Sequence, residues 1–212
     1  MPAVRLSSID PHEITPRMIA AMAASPRLCP FLHIPIQSGS DAILQRMRRR
    51  DTSAGIRETV LALKAAIPGI SLTTDMIVGF PGETDEDFEA SYALMAELGI
   101  HKIHVFPFSV RPGTRAAYMK DKLPEALIQE RTQKLLELSR VQQKAWIESW
   151  QGKEAPVLIE TITSEGVGKG YTPHYLRVQV PGCSQADHNT FLPVTITGAL
   201  WEQEVALGTR LA

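Results

Sequence analysis

The amino-acid sequence predicts an α/β protein, with βα units of a parallel sheet or barrel followed by a small OB-like β-barrel. Three observations predict it. Over the first 122 residues short apolar runs alternate with helical stretches, the pattern of βα units in a parallel sheet or barrel. A long amphipathic stretch follows, and then five short β-type runs crowd into about sixty residues, the spacing of a small closed β-barrel. With 212 residues the chain can bury one ample core or two smaller ones, and two are expected. The expected boundaries are 1–122 for the α/β part, 123–150 for a bridging helix and 151–212 for the β-barrel.

The elements follow in chain order. Residues 4–8 read as a strand. Residues 14–24 read as a helix rich in Ala and Met, entered through Thr15 as N-cap and Pro16 in the first turn. The next strand covers 31–37, followed by helices over 41–50 and 53–67, a strand over 72–80, a helix over 86–98 and a strand over 102–109. From 124 to 150 apolar residues such as Leu127, Leu135, Leu138 and Trp146 recur at helical spacing. The later β runs are 156–163, 167–172, 175–180, 191–197 and 204–207.

Neighbouring side chains on a strand point to opposite faces, so alternation assigns the faces. Leu32, Ile34 and Ile36 form one face, and His33, Pro35 and Gln37 the other. Asp75 shares a face with Ile77 and Gly79, and His104 with Phe106 and Phe108. All three polar-bearing faces are expected to line one lumen, with their C-terminal ends at the mouth where barrel active sites sit. A lone inward His33 or His104 is also read as a satisfied core residue. The stretch D-M-I-V-G-F-P-G-E-T (75–84) is a strand running into a glycine turn and an acidic helix start. Gly79 and Gly82 let backbone approach a ligand, and Thr84 with Asp85, Glu86 and Asp87 suits a helix N-terminus. Gln37, followed by S-G-S-D, sits at a strand-to-helix turn, where it is placed for ligand contact and Ser40 for capping.

Composition excludes several classes. Hydrophobic residues are 44%, charged residues 21% and the net charge is -1, which is neither a disordered nor a membrane profile. The first ten residues lack a basic stretch followed by an apolar block, so a cytoplasmic location and no membrane partner are expected. Lys plus Arg against Asp plus Glu is 14 to 13, 4 to 4 and 4 to 6 across the three expected segments. Phosphate neutralisation alone would therefore bind nucleic acid weakly, and RNA recognition must rest on shape and stacking. Cys29 and Cys183 are far apart and read as two reduced, unpaired thiols.

Three stretches together, H-I-P-I-Q-S-G-S-D (33–41), D-M-I-V-G-F-P-G-E-T (75–84) and V-F-P-F-S-V-R-P-G-T (105–114), resemble the second half of the radical S-adenosylmethionine methylthiotransferases. Order and spacing match, and the last segment resembles the TRAM domain. The stretch G-Y-T-P-H-Y-L-R-V (170–178) resembles the branch that converts N6-threonylcarbamoyladenosine, beside the tRNA anticodon, to its 2-methylthio form. Other branches act on isopentenyladenosine or on a ribosomal-protein aspartate.

The resemblance implies a partial TIM-like radical SAM barrel with a TRAM-like domain, tRNA as partner and S-adenosylmethionine as cofactor. It implies two 4Fe-4S clusters, one of which cleaves S-adenosylmethionine to a radical while the other delivers sulfur. Such clusters need cysteine thiolates, and none of the six family cysteines is present. Gln37 and Ser38 at the mouth, Arg49 in the following helix and Asp75 would meet the polar parts of the cofactor. Arg49 matches the basic residue of the family's M-x-R-x-Y-T stretch, read here as M-R-R-R-D-T, with Asp51 in place of the tyrosine. A guanidinium can grip a carboxylate through two parallel hydrogen bonds. Arg46, Arg48, Arg49 and Arg50 also suit a basic helix end. Ile77, Gly79, Phe106 and Phe108 would flank the adenine. Tyr171 and Tyr175 would stack on bases and Arg177 would reach phosphate, or the tyrosines would only cover the small barrel's core. The chain is expected to be the C-terminal portion of a transferase, inactive alone, with the N-terminal cluster-binding half as a further partner. The alternatives are a ribosomal-protein methylthiotransferase and a non-catalytic RNA-binding remnant. Missing early strands would leave sheet edge and apolar lumen exposed, with marginal solubility expected.

Overall fold

A computed structural model describes residues 3–211, so the outermost expected limits, residues 1 and 212, lie outside the described residues. The chain divides into two compact units. One is α/β and holds residues from Leu6 to Pro26 and Leu32 to Gln142. The other is the β-barrel from Gln143 onward, joined by the segment up to Arg5 and by residues 27–31.

In the α/β unit, α1 (Pro16–Ala24) starts at the expected cap: the Thr15 hydroxyl accepts from the Met18 N–H. The sheet has the order β1 (Phe31–His33), β2 (Ser71–Val78) and β3 (Lys102–Pro107), with β2 and β3 parallel. Leu32, Ile34 and Ile36 are fully buried, which bears out the apolar face read from alternation. Two expectations need correcting. The strand expected over 31–37 ends at His33, because Pro35 has no N–H to give a ladder, and pairing resumes only at a single bridge from Gln37 to Met76. The strand expected over 4–8 reduces to isolated bridges, Val4 to Leu28 in the barrel unit and Ser8 to His33 in the α/β unit.

The Ser38–Gly39–Ser40 turn feeds α2 (Asp41–Arg46), and Ser40 caps it by accepting from the Ile43 N–H. A Cβ on Gly39 would lie 2.7 Å from the Ser91 Cα, so only glycine lets this turn approach the helix behind it. α2 stops at Arg46, short of the expected Arg50, because Arg48 is left-handed at φ 60°. After α3 (Ser53–Ala66), the glycine turn past β2 leads into α4 (Asp85–Leu98), where Thr84 and Asp87 form a reciprocal capping box. The first part of α5 (Glu125–Glu148) sits on this unit. Its Ser139 hydroxyl accepts from the Ile103 N–H and donates to the Ile103 carbonyl.

The barrel unit contains β4 (Glu154–Ile162), β5 (Val167–Tyr171), β6 (Arg177–Pro181), β7 (Phe191–Leu200) and β8 (Val205–Arg210). They close in the order β4-β5-β6-β8-β7, all antiparallel except β6 with β8. Alternate residues Val157, Ile159, Val178, Val180, Val194 and Ile196 point inward and pack with Ile147 and Trp150. Among the described residues no helix is long and apolar enough to cross a membrane.

Candidate functional site

The C-terminal ends of the three parallel strands form the floor of a cleft of about 320 Å³. Gln37, Ile77, Phe80, Phe106, Phe108 and Arg111 line it. A second cleft of about 400 Å³ shares Gln37, Ile77 and Phe80 and is bounded by Arg46, Arg48, Arg49 and Arg115. The result is one continuous depression with aromatic walls at one end and guanidinium groups at the other. Phe80 and Phe108 meet edge to face at 5.4 Å. Gln37 holds φ 70°, unusual for a residue with a side chain, and its backbone is fixed from both sides: its N–H donates to the Asp75 carbonyl and its carbonyl accepts from the Ile77 N–H.

The structure brings Gln37, Ile77, Phe106, Phe108 and Arg49 to this depression, whereas Ser38, Asp75 and Gly79 do not line it. Ser38 is buried and turns away: its hydroxyl pairs with the Ser91 hydroxyl at 3.2 Å and accepts from the Ser40 N–H, so it satisfies the turn's own polar groups. Arg49 lies beyond α2 rather than in it, and its guanidinium is already engaged. Nε donates to Asp51 at 3.1 Å, and Nη2 donates to Asp10 at 2.6 Å and to the Pro35 carbonyl at 2.9 Å. Asp51, which also accepts from the His12 N–H, is thus a buried anchor for Arg49. Gly79 has φ 76° and borders a neighbouring cleft with Phe108 and Ile128; its N–H donates to the buried Glu83 carboxylate. Arg131 of α5 donates to that same carboxylate and to Asp85, clamping the glycine turn. Burial pushes the Glu83 carboxyl above its ordinary range despite the Arg131 guanidinium beside it. Asp75 faces His33 and His104 on the adjacent strands.

In the barrel unit, Tyr171 and Tyr175 stack on each other at 4.7 Å, and Tyr175 stands at φ 65°. Burial, with Tyr175 alongside, raises the Tyr171 phenol. Sequence reasoning missed Arg5 and Phe31. The Arg5 guanidinium lies 4.4 Å over the Tyr175 ring, and the Phe31 ring is 4.6 Å from it. Arg5, Tyr171, Thr172 and Phe191 edge a cleft of about 280 Å³. Arg177 is exposed and stands opposite Tyr171 in the β5–β6 register. No local signal could have found Arg5, since its bond to the Thr172 carbonyl spans 167 residues.

Residues 4–95 match the radical SAM superfamily. The chain is 40% identical over 179 residues to the threonylcarbamoyladenosine tRNA methylthiotransferase MtaB of Thermotoga maritima, covering 84% of this chain and 41% of that protein. It is 43% identical over 163 residues to the tRNA-2-methylthio-N(6)-dimethylallyladenosine synthase of Geobacter sulfurreducens, covering 77% and 36%. Over most of its length the chain is similar to these tRNA-modifying enzymes, and its first half to the radical SAM superfamily. It spans about two fifths of the length of the curated relatives named here. Among solved structures, coproporphyrinogen III oxidase from Escherichia coli, a radical SAM enzyme, has the same fold at 18% identity with a TM-score of 0.55, covering 75% of this chain and 34% of that one.

The two cofactor types that the family implies fit this chain differently. For a 4Fe-4S cluster the donor set is wrong. Cys29 and Cys183 are buried, Cys183 donates to the Val180 carbonyl, and among the described residues neither cysteine belongs to a group of three side chains able to share a metal. For S-adenosylmethionine the walls suit the molecule: the flat apolar flanks of Ile77, Phe80, Phe106 and Phe108 match an adenine ring, and Gln37 and Arg111 offer polar atoms beside them.

Proposed function

We propose that this chain is the C-terminal portion of a tRNA methylthiotransferase that adds a methylthio group to C2 of N6-threonylcarbamoyladenosine beside the anticodon. The observation that carries this reading is the aromatic-to-cationic depression at the ends of β1, β2 and β3, found in a chain similar to enzymes named for that chemistry. S-adenosylmethionine, when bound, supplies the methyl group and the homolytically cleavable sulfonium bond. Ile77, Phe106 and Phe108 flank its adenine, Gln37 and Asp75 orient its polar atoms, and Gly79 lets the backbone turn beneath it. Arg49 contributes the positive charge at the far end, held in place by Asp10 and Asp51. The barrel is the TRAM-like tRNA contact, with Tyr171 and Tyr175 as a stacking platform and Arg177 toward phosphate. With no cluster ligands of its own, the chain is inactive alone and works with a cluster-bearing half in the cytoplasm.

A second reading, modification of dimethylallyladenosine, is favoured by the 43% identity to the Geobacter sulfurreducens enzyme. Disrupting the coding sequence in the source cells and measuring tRNA nucleosides by mass spectrometry separates the two. Loss of the 2-methylthio form with accumulation of threonylcarbamoyladenosine is the expected result. Accumulation of dimethylallyladenosine instead establishes the second reading, and an unchanged nucleoside profile overturns both.

A further inference from the structure

His33, Asp75 and His104 come from three neighbouring parallel strands and share one face of the sheet. Asp75 and His104 are partners in the β2–β3 register, and His33 Nε2 lies 3.4 Å from Asp75 Oδ2. Each of the three offers one ligand atom, and these atoms all lie within 4.8 Å of one another. Ligands at roughly 2.1 Å from a common ion sit about 3–3.5 Å apart, so small side-chain rotations close the set. The buried Thr73 hydroxyl, 2.8 Å from His33 Nδ1, orients that ring and leaves Nε2 turned to Asp75, the support that metal-bound imidazoles usually have. The histidine and aspartate side chains retain 20% and 29% exposure, enough for an ion to enter and keep positions open.

We propose that His33, Asp75 and His104 bind one divalent transition-metal ion. Two imidazoles and one carboxylate form the donor set that suits Fe(II) or Zn(II), with the remaining positions left to water or a small ligand. The site does not rest on the reading of the S-adenosylmethionine cleft. Asp75 belongs to both, whereas His33 and His104 belong only to the metal site.

Cobalt(II) titration of the full chain, followed by its d–d absorption, tests the inference. One equivalent is expected to bind. His33→Gln and His104→Gln are each expected to weaken it more than tenfold, and Thr73→Val about tenfold. His12→Gln and His188→Gln, at histidines outside the cluster, are expected to leave it unchanged. In the unaltered chain, which removes any question of misfolding, bound cobalt is expected to shift the imidazole C–H resonances of two histidines. Absence of a cobalt band, a band that survives both His33→Gln and His104→Gln, or imidazole resonances none of which shift would overturn the site.

Discussion

The two units of this chain are stabilised by different means. Among the described residues, eleven of the thirteen buried polar or charged side chains lie in the α/β unit, including Glu83, His101 and Arg131. The barrel buries two, Thr172 and Asp187, and is otherwise filled by aliphatic side chains around Trp150. A closed five-stranded barrel satisfies its own backbone, so its interior can be dry. The α/β unit must fix glycine turns and open strand ends, and it does so with buried hydrogen bonds and ion pairs whose loss is costly. The lesson is that polar burial is concentrated in the α/β unit, at both ends of its strands.

This contrast can be broken one unit at a time, because all three tryptophans lie in the barrel unit and, among the described residues, four of the five α-helices lie wholly in the other. Tryptophan fluorescence therefore follows one unit and helical circular dichroism the other. The largest effect is expected for Arg131→Met, which leaves the Glu83 carboxylate buried without its guanidinium. The helical unfolding transition should lose about 3–5 kcal/mol while the tryptophan transition stays put. Pairing it with Glu83→Leu should recover most of the loss. If both transitions shift together, the units do not unfold independently.

Gly170→Ala is the counterpart in the barrel. Its new Cβ would lie 1.8 Å from the Leu158 carbonyl oxygen, beside the register shift between β4 and β5. A loss of about 2–3 kcal/mol is expected in the tryptophan transition alone. An unchanged midpoint would mean that the β4–β5 pairing relaxes more readily than its geometry indicates.

At neutral pH the smallest effect belongs to His101, and it grows only as pH falls. His101 is buried against the Ser71 hydroxyl, and burial, with Lys102 nearby, lowers its pKa to about 3. The unfolded imidazole takes up a proton near pH 6.5, whereas the folded one resists until about pH 3. The unfolded state therefore binds more protons between those values. This contribution to stability is complete above pH 6.5 and is lost as pH falls, with a slope approaching about 1.4 kcal/mol per pH unit. His101→Gln should flatten the acid limb of the helical transition. An equally steep limb in the variant would assign the slope to other groups.

Much of this was legible in the chain. The period-two alternation of 31–37 assigned the buried face of Leu32, Ile34 and Ile36, because extended backbone turns successive side chains to opposite sides. Thr84 and Ser40 announced their helices because capping is local chemistry. Five β-type runs after Gly152 announced five strands for the same reason. The boundaries were less legible: α2 ends at Arg46 through the left-handed Arg48, which the basic run did not reveal.

What the sequence by itself determined is therefore what depends on neighbours along the chain: faces, caps, the order of the motifs and the family they resemble. Only the tertiary structure decided which distant groups meet. It buried Ser38 against Ser91, set Arg49 between Asp10 and Asp51, laid Arg5 over Tyr175 and gathered His33, Asp75 and His104 on adjacent strands. Such meetings depend on strand order and register, which are set by the packing of the whole core and leave no local signature in the residues they join.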